Sequence, residues 1–239
     1  MAPFQPKSRD GKDWFRQVSW GEDEQTLFRA KLAKARTWGR PQYLRIQAVT
    51  LERKLPHVAL RLFEECIALD MDGIQSAWAH DGRAEIFARQ GDLEPALLAF
   101  EAALDCLSRQ PNAIPSATIN YPLFVARHGF RDRFERAIAV LDRYEREPTF
   151  PIGRFKAAAA RALIAEVRLD GGSAILFAAT ALDAAAETQS EFRYHPDTGL
   201  VRAEQAFLIK RLTVIAKGGS ATGSSASWLR SLLSRINRR

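Results

Sequence analysis

Residues 84–103 read AEIFARQGDLEPALLAFEAA, two apolar helical stretches folded back on one another through Gly91 and Asp92. Ala96, Phe100 and Ala103 stand at i, i+4 and i+7, which is one face of an α-helix. A small residue admits a neighbouring helix and a large one fills its groove, so the triplet is a packing seam. The same spacing recurs upstream in Ala59, Phe63 and Cys66 and downstream in Ala137, Leu141 and Tyr144. Helix pairs of this kind cannot bury their apolar stripes singly and stack on their neighbours. The expectation is therefore an all-α fold, an irregular α-α superhelix of antiparallel helix pairs with a long concave face.

Working outward from that hairpin, Gly91 is suited to the left-handed cap that stops a helix from about Ser76 to Gln90, and Asp92 starts its mate. Pro41 and Pro56 suit the first turns of two earlier helices, the second reaching about Leu69. Ser19 stands three residues before Glu22, which is capping-box spacing for a first helix. Downstream, Ala117 to His128 reads as a helix bent or started by Pro122, with Asp132 to Glu147 as its mate. Pro151 opens an alanine-rich helix to about Leu169, where Asp170-Gly171-Gly172-Ser173 supplies stop, turn and cap before a partner ending near Glu187. A last substantial helix spans Leu200 to Lys217. The domain reading is thus a weakly ordered segment 1–18, whose Trp14, Phe15 and Val18 can dock on a neighbouring groove, and a repeat domain 19–217. A flexible Gly, Ser and Ala linker 218–227 and a basic amphipathic helix 228–239 follow.

Composition sets the class. With 46% hydrophobic and 26% charged residues the chain has the make-up of a soluble protein. No uncharged apolar run approaches the roughly 18 to 20 residues that a membrane-spanning helix needs. The first twelve residues have no apolar core of a secretion signal, so a cytoplasmic location is expected. Cys66 and Cys106 are too few for a disulfide framework and lack metal-ligand spacing. The balance of 35 Lys and Arg against 28 Asp and Glu favours encounters with nucleic acid, anionic lipid or acidic proteins without choosing among them.

Residues 84–103 resemble a tetratricopeptide repeat: Ala84 and Phe87 on the first helix, Gly91 and Asp92 at the turn, and Ala96, Phe100 and Ala103 on the second. The units around Tyr43 to Cys66 and around Asp132 to Tyr144 match more weakly, and the pair around Gly171 to Ala185 matches only in helix pairing. Asp13-Trp14-Phe15, Gln42 to Gln47 and Phe192 to Pro196 also resemble an uncharacterised bacterial tetratricopeptide-like group. The resemblance implies a non-enzymatic scaffold that binds a protein or peptide on its concave face. Carried onto this chain, the groove positions are Trp78, Asp81, Glu85 and Arg89, joined by Arg45 and Gln47 from the preceding unit.

The templates for catalysis are missing: the chain has no His-Glu-x-x-His, Cys-x-x-Cys, phosphate-binding glycine loop or Gly-x-Ser-x-Gly elbow. No cofactor is expected. His80, Asp81 and Glu85 lie near one helix face and form the nearest approach to an ion site, but without a third His or a Cys nearby in sequence they read as an exposed polar helix face. His57 and His128 suit helix termini, and His195 sits in a polar and aromatic loop. At the C-terminus, Trp228 and its leucines accompany Arg230, Arg235, Arg238 and Arg239. That combination suits an anionic membrane surface or nucleic-acid phosphates, the alternative reading of function.

Overall fold

The computed structural model describes residues 13–110, 115–144, 150–189 and 197–218. Among the described residues it contains ten α-helices and no strand, so the chain is all-α. By internal contacts it divides into two compact units, Met1–Ala117 and Thr118–Arg239.

In the first unit α1 (Glu22–Lys34) precedes α2 (Arg40–Leu51), α3 (Pro56–Leu69), α4 (Ile74–Gln90) and α5 (Leu93–Arg109). Helices α2 and α3 form one hairpin, α4 and α5 a second, and α3 packs on α4 between them. Pro41 and Pro56 occupy first turns, where a missing N–H leaves no helical bond unmade. Gly91 terminates α4 at φ 85°, a conformation in which a side chain is strained. The seam residues Ala59, Phe63 and Cys66 of α3 and Ala96, Phe100 and Ala103 of α5 are all buried. Burial of an aromatic such as Phe100 is worth about 1.5–3 kcal/mol.

One contact in this unit has no counterpart in the repeat spacing. Gly82 lies in the middle of α4 where the Phe63 ring of α3 reaches the helix backbone; a Cβ there would fall 2.8 Å from Phe63 Cε2. Glycine is disfavoured inside helices, and here the close approach of the ring explains its presence.

The start of α1 differs from expectation. Its N-cap is Gly21, not Ser19, and the reciprocal bond comes from Glu24: the Gly21 amide donates to Oε2 at 2.8 Å and Ser19 Oγ donates to Oε1 at 2.7 Å. Those hydroxyl and amide donors hold the Glu24 carboxyl below its ordinary pKa. Ahead of it, Trp14 and Phe15 are docked against Tyr43, with Trp14 also on Phe28, while Val18 is exposed.

In the second unit α6 (Ala117–His128), whose first residue closes the preceding unit, is followed by α7 (Phe134–Arg143), α8 (Pro151–Val167), α9 (Gly171–Ala186) and α10 (Ala206–Lys217). Helices α8 and α9 form a hairpin with an extended contact, and α10 lies on α9. Alanines make that closeness possible: Ala158, Ala159 and Ala162 of α8 and Ala174, Ala178 and Ala181 of α9 are buried. Ala137 and Leu141 of the third seam are buried, with Tyr144 half-buried just past the helix end. The helix expected from Asp132 to Glu147 begins only at Phe134, after a 3-10 turn over Arg131–Arg133, and its described part ends at Arg143; residues 145–147 lie outside the described residues. Likewise Leu200 and Val201 are buried but not helical, and α10 begins only at Ala206.

Helix α8 closes just before the 170–173 stretch. Leu169, and neither Gly171 nor Gly172, takes the left-handed position, at φ 62°, with its side chain 92% exposed. The amide of Asp170 donates to Ala165 O and that of Leu169 to Glu166 O, closing the helix. Both glycines are then drawn into α9, whose start is capped by Asp170 accepting from the Ser173 amide at 3.1 Å. Surface ion pairs such as Arg161 with Asp142 and Arg168 with Glu135 link α7 to α8, each worth about 0–1 kcal/mol.

Among the described residues no helix is long and apolar enough to cross a membrane. The loop containing His195, the linker after Gly218 and the tail with Trp228, Arg230, Arg235, Arg238 and Arg239 lie outside the described residues.

Candidate interaction face

Helix α4 is buried along two flanks, at Ala77 and Ala84 on one and at Ala79 and Ile86 on the other. A narrow strip stays open along it. Trp78, Glu85 and Arg89 stand at i, i+7 and i+11 and so return to nearly the same direction on a helix of about 3.6 residues per turn. Trp78 and Glu85 are half-buried and Arg89 is exposed. Asp81, by contrast, is only 8% exposed. The sequence expectation that places it with the other three is corrected: its position falls to the side of the strip, against the buried flank.

Facing this strip, Arg45, Val49 and Glu52 occupy i, i+4 and i+7 on and just after α2. The Arg45 guanidinium lies over the Trp78 ring, 5.4 Å from its centroid, and Arg45 Nε donates to Gln75 Oε1 at 2.7 Å. Burial lowers the arginine pKa from its ordinary value. Two turns along, Arg89 approaches Glu52, Nη1 to Oε1 at 4.0 Å. Burial raises the Glu52 pKa; Arg89 opposes that rise and the neighbouring Glu85 charge adds to it. Val49 stands between these two contacts with 47% of its surface exposed. The result is a shallow strip with an apolar middle and charged ends, its aromatic and basic groups held in place by each other.

Gln47 does not belong to the strip. It is fully buried, and its amide is used within the chain: the Gln17 amide donates to Gln47 Oε1 at 2.8 Å and Gln47 Nε2 donates to Gln17 O at 2.7 Å. The expected role in partner binding is corrected to that of a clamp that seats residues 13–18 on α2. Val49, Glu52 and Gln75 escaped the sequence reading. The first two could have been found by extending the α2 stripe from Arg45 in steps of four and three.

A second feature lies at the other end of α4. A half-open cleft of about 280 Å³ is lined by residues including Asp70, Ser76, His80, Cys106 and Arg109. Asp70 Oδ2 accepts from the Ser76 amide at 2.6 Å and from Ser76 Oγ at 2.8 Å. Arg109 Nη2 lies 3.7 Å from Cys106 Sγ. Burial, reinforced by Arg83 and Arg109, pushes the His80 pKa down to about 4, so the imidazole is neutral at pH 7. His80, Asp81 and Glu85 are not gathered into an ion site; among the described residues no group of three or more His, Cys, Asp or Glu is placed to hold a metal. Burial also pushes the Cys66 thiol up to about 12, with the Asp70 charge adding to the rise, which suppresses its thiolate. The His128 ring lies tilted against Phe124, centroids 4.7 Å apart, with its pKa lowered by burial and Arg127.

No family model, curated protein or solved structure matches this chain.

Proposed function

We propose that the chain is a non-enzymatic, tetratricopeptide-like scaffold that binds a protein or peptide partner along the strip between α2 and α4. The observation that carries this reading is the strip itself: Trp78 held beneath Arg45, exposed Val49 at its centre and the Glu52–Arg89 pair at its far end. Interfaces commonly concentrate their energy in a Trp or Arg anchor surrounded by polar groups. A shallow, elongated strip with charges at both ends suits an extended chain or a folded surface better than a small molecule, which favours an enclosing pocket. Glu85 and Arg89 select partners by charge, while Asp81 and Gln47 support the helices from beneath.

The test uses the full chain as bait in extract from its native cell, wild type beside a Trp78→Ala/Arg89→Ala variant whose helical circular dichroism is unchanged. Loss of a partner retained by wild type supports the strip as the binding face. Unchanged recovery of every partner removes it from consideration.

A further inference from the structure

All of the excess positive charge of this chain lies beyond Glu204. Seven of the 35 Lys and Arg follow that residue, in a stretch with no Asp or Glu, and the 28 before it are balanced by all 28 acidic residues. Three of the seven are on α10: Lys210, Arg211 and Lys217. The helix turns Leu208, Ile209, Leu212 and Ile215 inward, where they are buried. Its outward face is centred on Phe207, 79% exposed, and Val214, 61% exposed, which are seven residues apart and so stand two turns apart in line. At 100° per residue, Lys210 and Lys217 run along one side of that line and Arg211 along the other. Arg211 also receives the Glu166 carboxylate, both oxygens at 2.9 Å, which holds its guanidinium at the edge of the face.

From this arrangement we infer that the outward face of α10 binds the surface of an anionic phospholipid bilayer. An apolar line flanked by cations is what an interfacial helix presents, with rings and branched chains in the acyl boundary and ammonium groups at the headgroups. Each cation near an anionic leaflet is worth about fivefold in partitioning. The four arginines that follow in sequence, Arg230, Arg235, Arg238 and Arg239, add charge of the same sign. A nucleic-acid backbone would use the cations but leave Phe207 and Val214 in water. A second copy of the same face would set lysine against lysine. The lipid surface is the occupant that satisfies both halves of the pattern.

The experiment is sedimentation of the full chain with vesicles of phosphatidylcholine alone and of phosphatidylcholine mixed with phosphatidylserine. Binding is expected to the mixed vesicles and to weaken as salt rises. Phe207→Ser with Val214→Ser, both at exposed positions, is expected to weaken partitioning by at least about tenfold, and Lys210→Glu with Lys217→Glu to weaken it further. Leu176→Ser, at a 63% exposed position on α9, is expected to bind as wild type. Equal binding to both vesicle types, no vesicle binding, or undiminished binding by the Phe207→Ser/Val214→Ser variant overturns the inference. Tight binding to duplex nucleic acid in place of vesicles overturns it as well.

Discussion

Replacing Gly82 by alanine should destabilise this protein, although the same change in an ordinary helix interior stabilises it by about 1 kcal/mol. The added methyl would overlap Phe63 Cζ and lie 2.8 Å from Cε2 and 3.0 Å from Cε1, where carbon atoms prefer about 3.5–4.0 Å. The ring cannot swing aside into solvent: Phe63 is fully buried among core residues that include Leu62, Ala59 and Cys66. Overpacking of a filled core costs typically about 1–3 kcal/mol, so after the helical gain a net loss of about 1 kcal/mol is expected. For a unit of this size that lowers Tm by about 4 °C. Urea unfolding of the full chain, followed by helical circular dichroism, should show a lower midpoint with an unchanged slope. The contact further requires that Phe63→Leu, destabilising by itself, cost less in the Gly82→Ala background, with a coupling of about 0.5 kcal/mol or more. A midpoint that rises, or two effects that simply add, would refute the packing of α3 against α4 at this point.

Three other outcomes are expected. Leu169→Gly should raise Tm, by about 1 kcal/mol of stability, because it relieves a left-handed residue whose exposed side chain contributes no burial; a decrease would mean that Leu169 is packed. Ala96→Leu should cost about 1–3 kcal/mol, since Ala96 is fully buried at the seam of α5, and an unmoved Tm would place the seam elsewhere. His80 is held neutral, with its pKa lowered from 6.5 to about 4, so the unfolded chain takes up its proton first as the solution is acidified. Its contribution to stability is therefore complete above pH 6.5 and is lost as pH falls towards 4; an imidazole signal titrating near 6.5 in the folded protein would contradict this.

The groove positions implied by the tetratricopeptide resemblance are only partly brought together. Trp78, Glu85 and Arg89 share one side of α4 because helical spacing alone returns them to nearly the same direction. Asp81 was misplaced because α4 is covered on two flanks, and a position at the margin of the open strip is buried by neighbours whose direction the repeat does not reveal. Gln47 was misplaced for a related reason: it is covered by Gln17, thirty residues away in sequence, through a pair of hydrogen bonds that no local pattern encodes. The turn after α8 was legible in part. Asp170 caps α9 within the 170–173 stretch that the sequence offered as stop, turn and cap, whereas the left-handed residue that closes α8, Leu169, lies just before that stretch and carries no sequence signal.

The helical character of the chain, most helix boundaries and the burial of nearly all the spaced small and large residues can be read from the sequence alone. Those properties follow from spacing within single helices and from prolines and glycines whose backbone limits are local. Only the tertiary structure decided which polar residues remain at the surface, why α4 carries Gly82 and which face of α10 is left bare. Burial is a property of what arrives from elsewhere in the chain, and a one-dimensional period cannot say which neighbour covers which side.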